Sequence, residues 1–163
     1  MSINLDVQYA VSDDDCEPPS TELIRSWVEA VLDDLFAEAE LTVRIVSIDE
    51  IQDLNHRYRQ QDKPTNVLSF PFEKMDGVDL PLLGDVVICA AVVAEEARQQ
   101  HKPVQDHWAH MVVHGVLHLL GYDHIEAVDA EVMEALELKI LQGLGVSDPY
   151  EEKHSLVSAS EDQ

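Results

Sequence analysis

Cysteine, glycine and positive charge are all scarce in this 163-residue chain. Its two cysteines are Cys16, in an acidic polar stretch, and Cys89, in an apolar one. They make a poor disulfide and no CxxC motif, which fits a reducing, cytoplasmic setting. No P-loop and no serine-nucleophile motif is present, which argues against nucleotide-dependent and serine-based chemistry. The longest apolar run, Val86 to Ala94, is nine residues, short of the roughly 20 that span a bilayer. The first six residues have no basic n-region and no apolar h-region, so neither a secretory signal nor a membrane partner is expected. Ten Lys and Arg stand against 33 Asp and Glu, a net charge of −23. That balance excludes a generic charge-driven binder of nucleic acid, because phosphate backbones attract cations and are repelled by acidic surfaces.

Apolar residues make up 45% of the chain, enough to fill one ordinary core. Residues 1–152 read as a single domain and 153–163 as a polar, flexible tail. Alternation marks a strand at Ile3, Leu5, Val7 and Tyr9 and another over Leu41 to Ile48. Between them Ser12 to Ser20 is a loop, and Ser20 caps a helix carrying Leu23, Trp27, Val31 and Leu35. A short helix runs from Asp49 to Arg59 with Ile51, Leu54 and Tyr58 on one face, followed by a polar loop over Gln60 to Thr65. Val67 to Phe70 is a strand stopped by Pro71, Glu73 to Pro81 is a turn-rich loop, and Leu82 to Cys89 is an apolar strand. Helices then follow over Ala90 to Gln100, from Pro103 to about Leu120, and from Ile125 to about Leu141. The last buries a stripe of Val128, Val132, Leu136 and Ile140, and its carboxylates from Glu126 to Glu137 read as a solvated face. Strands and helices mix without a regular βαβ rhythm. The class is therefore α+β: one small mixed sheet of about four strands packed with about five helices.

Chemistry concentrates in His114-Gly115-Val116-Leu117-His118-Leu119-Leu120-Gly121-Tyr122-Asp123-His124. Residues four apart share a helix face about 6 Å along the axis, so His114 and His118 can hold one ion together. On a continuing helix His124 would lie roughly 15 Å further on and about 80° off that face. It joins them only if the chain turns back, and Gly121 supplies the break. Three imidazoles suit one Zn²⁺ per chain and leave a fourth position for water, as in catalytic rather than structural zinc sites. The alternative is a set of buried or surface histidines that bind nothing. Five of the eight histidines fall between His107 and His124, and that clustering favours the metal. His110 is a candidate for holding a ligand or passing a proton, and His107 reads equally as an exposed or a core histidine. The spacing is similar to that of metzincin peptidases, whose helix has Glu directly after the first histidine. Gly115 stands there instead, so a peptidase of that type lacks its base. Leu54 to Phe72 carries Arg57, Arg59 and Lys63 against Asp62 alone, a net of +2 that leaves −25 for the remainder.

The histidine segment resembles the signature of the YbeY family of bacterial endoribonucleases, closest to its gammaproteobacterial members. Leu54-Asn55, Tyr58-Arg59, Asp62 to Pro71, Leu83 to Ile88, Met133-Glu134 and the Gly143 to Pro149 end agree with that family in order and spacing. The resemblance covers about residues 3–152 and implies a zincin-like, histidine-bearing helix. It further implies a zinc-dependent, single-strand-specific endoribonuclease that matures the 3′ end of small-subunit ribosomal RNA and serves in ribosome quality control. Its partners would be single-stranded RNA, ribosomal RNA and the ribosome or ribosome-associated proteins, with no DNA. It implies zinc on His114, His118 and His124, and a functional Arg59 that would offset charge on the scissile phosphate beside His114. Ser69 and Asp85 are weaker candidates, for touching phosphate and for orienting a histidine. Asn66 departs from the Asp that many members carry, and an amide there can only hydrogen-bond. Another metal hydrolase, a peptidase or deacylase, and an assembly factor with a structural metal are the competing readings.

Overall fold

The computed structural model describes residues 2–11, 18–32, 38–72, 82–121 and 127–146. The expected loops over 12–17 and 73–81, the tail, Tyr122, Asp123 and His124 lie outside the described residues. In chain order the elements are β1 (Ser2–Tyr9), α1 (Thr21–Leu32), β2 (Glu38–Val46), α2 (Ile48–Arg59), β3 (Val67–Pro71), β4 (Leu82–Cys89), α3 (Ala90–Gln99), α4 (Val104–Leu119) and α5 (Ala127–Gly143). The four strands form one sheet in the order β1-β2-β4-β3. β1, β2 and β4 run parallel, and β3 is an antiparallel edge. An edge is where Pro71 can end a strand without costing a ladder bond. The α+β class and the mixed sheet are as expected.

Local chemistry sets the element ends. The Ser20 hydroxyl accepts from the Leu23 amide at 3.2 Å, and Ser47 accepts from Glu50 N at 3.3 Å, so each caps a helix. Strand alternation sorts the core into two layers. Leu41, Val43, Ile45, Val86 and Ile88 face one side, under α1, α4 and α5. Val46, Leu68, Val87 and Cys89 face the other, where Ile51 of α2 covers them.

α4 lies at the centre of the larger layer. It packs on β3 and β4 and is flanked by α1, α3 and α5, so it is buried on nearly every side rather than on one apolar face. Gly115 permits this approach: a Cβ there would stand 2.5 Å from Val86 Cγ1 and 3.4 Å from Val67 Cγ2. The position that would carry the base in a metzincin is here pressed against the sheet.

Three sequence expectations change. β2 starts at Glu38 rather than Leu41. Tyr58 is exposed rather than on the buried face of α2, its ring edge-on to Phe70 at 5.3 Å. On α5 the buried stripe is one residue out of register: Met133, Glu137 and Leu141 are buried, and Val132 is exposed. Leu136 and Ile140 are only partly buried, and the side chain of Val128 lies outside the described residues.

Candidate metal centre

α4 sets His110, His114 and His118 along one side of a rigid rod. His114 Nε2 and His118 Nε2 face each other at 3.0 Å, so the two side chains four residues apart do converge. The helix ends at Leu119, and Gly121 adopts φ +100°, a conformation that turns the chain at low cost only for glycine. The helix thus ends beside the glycine that the sequence reading named as its break.

Beneath the histidines lies Glu137, which the sequence reading assigned to a solvated face. It is 1% exposed. His114 Nδ1–H donates to its Oε1 at 2.5 Å and His110 Nε2–H donates to its Oε2 at 3.0 Å. Burying an ionised carboxylate costs several kcal/mol unless it is paired and hydrogen-bonded. Burial alone would raise the Glu137 pKa, but the bonds from His110 and His114 outweigh it and hold the group ionised, far below the usual carboxylate range. Burial pushes the His110 pKa down, against the pull of Glu137, which favours the neutral ring, whose Nε2–H can still donate to the carboxylate. His110, His114 and Glu137 bring ligand-type atoms within 4.8 Å of one another and could themselves hold a metal ion. The sequence held one clue to Glu137: it sits four residues from both Met133 and Leu141, on the stripe that the hydrophobic pattern alone placed one residue away.

A second carboxylate closes the other end of the histidine row. His107 is 3% exposed, and its Nε2 pairs with Glu96 Oε1 at 2.9 Å; the core alternative applies to it. Asn66 Nδ2–H donates to both Glu96 oxygens, at 3.1 and 3.3 Å, and its Oδ1 accepts from the Val67 amide at 2.7 Å. The amide at position 66 is thus a donor to a carboxylate. Half-burial tends to raise the Glu96 pKa, but the bonds from His107 and Asn66 outweigh it and hold the group below its ordinary range.

An open cleft of about 520 Å³ runs along β3, with His114, His118 and Gly121 on one wall and Arg59, Asn66 and Ser69 on the other. Arg59 arrives from the end of α2. Its Nη2–H donates to the Ser69 carbonyl at 2.8 Å, and its guanidinium lies over the Phe70 ring, 5.2 Å from the centroid, a cation–π contact. The Ser69 hydroxyl donates to the Gly115 carbonyl at 2.9 Å and so ties β3 to α4. Asp85 is not brought to this site. It alternates with Val86, which faces α4, and lies on the opposite face of the sheet beside Thr42, Arg44 and Phe70. Among the described residues, no histidine lines the pocket that it faces.

The chain is similar to known proteins in sequence and in overall fold. The solution structure of TM1509 from Thermotoga maritima is similar at a TM-score of 0.59 with 26% identity, over 93% of this chain and 92% of that one. The family model described as Endoribonuclease YbeY matches residues 8–145, which takes in the cleft, Arg59, the helix of histidines and Glu137. The chain belongs to the YbeY endoribonuclease family.

Proposed function

We propose that this chain is a zinc-dependent endoribonuclease specific for single-stranded RNA, acting in ribosomal RNA processing at the 3′ end of the small-subunit RNA and in ribosome quality control. One ion would be held by His114, His118 and His124, with Arg59 across the cleft as the phosphate-facing cation. One observation carries the reading: a solvent-open cleft with two imidazole Nε2 atoms 3.0 Å apart on one wall and an arginine on the other. The donor set fits the ion. His114 spends its Nδ1 proton on Glu137, which leaves the Nε2 lone pair directed towards His118. When bound, zinc supplies an acidified water and polarises a phosphoryl oxygen.

The protein's own residues do the remainder. Arg59 can donate paired N–H bonds to the phosphate and offset the charge that grows there. The Ser69 carbonyl and the Phe70 ring fix its direction before substrate arrives. Purified protein should contain one equivalent of zinc and cut single-stranded but not double-stranded RNA, and a chelator should stop it. Arg59→Glu should abolish cleavage with metal content unchanged, whereas His114→Ala should lose both metal and cleavage. A folded His114→Ala variant that still cuts would remove the metal from the chemistry, and a variant that unfolds would favour a structural metal in an assembly factor.

A further inference from the structure

We propose that Glu137 is the positioning carboxylate of this centre: it holds the Nδ1 proton of His114, and so commits the Nε2 of that ring to the cleft, while His110 locks the carboxylate in place. The inference rests on the metal site proposed above. Only one tautomer of a neutral His114 satisfies its surroundings. With the proton on Nδ1 it donates to Glu137 Oε1, and its Nε2 lone pair meets His118. With the proton on Nε2 a lone pair would face a carboxylate oxygen at 2.5 Å. A hydrogen-bonded carboxylate behind a ligating imidazole orients the ring and raises its basicity, and losing such a partner typically weakens metal binding about 10–100-fold.

The carboxylate is itself constrained. It is 1% exposed, between buried Met133 and Leu141 on α5, and its second oxygen accepts from His110 Nε2. One buried group thus joins two turns of α4 to α5. Ligation of an ion by His110, His114 and Glu137 themselves is the competing arrangement. It would require His114 to give its Nδ1 lone pair to the ion and move its proton to Nε2, which ends any shared site with His118. The two arrangements therefore exclude each other at His114. Only His114 and His118, of these four residues, line the cleft.

The test uses the full chain stripped of metal and titrated with zinc against a chromophoric chelator, with ring-nitrogen NMR of His114 as a second readout. Glu137→Gln keeps shape and a hydrogen-bond acceptor, and should bind zinc about 10-fold more weakly. Glu137→Ala should approach 100-fold and lose the fixed His114 tautomer. His118→Ala and His124→Ala should weaken zinc further than Glu137→Gln does. X-ray absorption should show the same nitrogen-rich zinc environment in Glu137→Gln as in the parent. If Glu137→Ala fails to fold, Glu137→Gln decides alone. Parent-like zinc affinity and an unchanged His114 tautomer in Glu137→Gln, with His118→Ala and His124→Ala weakened, would overturn this proposal and leave the metal site standing. Unchanged affinity in His118→Ala and His124→Ala, with binding lost in Glu137→Gln, would make Glu137 a ligand and sink both.

Discussion

Replacing Gly115 with alanine tests whether close packing of α4 on the sheet builds the site. Helix propensity alone favours the change by about 1 kcal/mol, because glycine costs that much inside a helix. The structure opposes it. The new Cβ would stand 2.5 Å from Val86 Cγ1 and 3.3 Å from Cγ2, and Val86 is fully buried in β4. A β-branched side chain has little rotamer freedom with which to retreat, so α4 must lift or the strand must shift. Overpacking of this kind costs about 1–3 kcal/mol, and lifting α4 stretches the Ser69–Gly115 bond, worth about 1 kcal/mol. The net expectation is a loss of about 2 kcal/mol, or a fall in Tm of about 4–8 °C for a chain this size. Urea and thermal denaturation of Gly115→Ala, Val86→Ala and the double variant measure it. Val86→Ala makes room, so the double variant should be more stable than additivity predicts by at least about 1 kcal/mol. A Gly115→Ala protein more stable than the parent, or a strictly additive pair, would refute the packing account.

Asn66→Asp puts a second carboxylate 3.1 to 3.3 Å from Glu96; the variant should lose about 1–2 kcal/mol at pH 7 and recover relative to the parent as pH falls towards 5, because the pair folds by taking up a proton. A pH–Tm curve parallel to the parent's would contradict that. The Glu96 carboxyl is held below its ordinary value of 4.5 by His107 and Asn66 against burial. Its stabilising share is therefore present above pH 4.5 and lost as pH falls through the lower folded value, and Glu96→Gln should lack that part of the acid limb in a pH–Tm series. Zinc at about 100 times its Kd should add about 2.7 kcal/mol to the stripped protein, a rise in Tm that chelator reverses and His118→Ala abolishes. With one cleft arginine, affinity for single-stranded RNA should fall with salt at a log–log slope of only about −0.7, measured by filter binding.

Where backbone periodicity decides the outcome, the fold was legible. Alternation located β1 and β2, short apolar runs located β3 and β4, and helical spacing with its caps and breaks located the helices, because each element buries apolar residues at its own repeat. The pair His114 and His118, the turn at Gly121 and the expectation for Arg59 came from spacing and from the resemblance. What escaped was set by tertiary contacts. Glu137 looks like its acidic neighbours until α5 is seen to turn Met133 and Leu141 inward, and Asp85 looked available until the strand alternation of β4 turned it away from α4. The local signals, the i±4 spacing of Glu137 from Met133 and Leu141 and the alternation of Asp85 with Val86, become decisive only once it is known what packs over each face. Asn66 is similar: its departure from Asp becomes meaningful only beside Glu96, which lies 30 residues away in sequence.

A chain of net charge −23 in a family of RNA-cleaving enzymes raises the question of how a polyanion is admitted. The answer lies in how its arginines are spent. Arg25, Arg44, Arg57 and Arg98 are each held by a carboxylate, Glu29, Glu50, Asp53 and Glu95 respectively. Those four charges are compensated locally and offer little to a phosphate. Arg59 differs from them among the described residues: its guanidinium is held by a carbonyl and an aromatic face, neither of which carries a compensating charge. The same contacts that aim it into the cleft leave its charge intact. At physiological salt, fields beyond about 8 Å are screened, so repulsion from the remote acidic surface fades, while the attraction of an uncompensated cation lining the cleft would not fade for a phosphate bound there. On the function proposed above, selectivity would follow from geometry rather than from total charge: a strand thin enough to enter the cleft would meet Arg59 and the histidines together, whereas a polyanion held at the surface would meet mostly carboxylates.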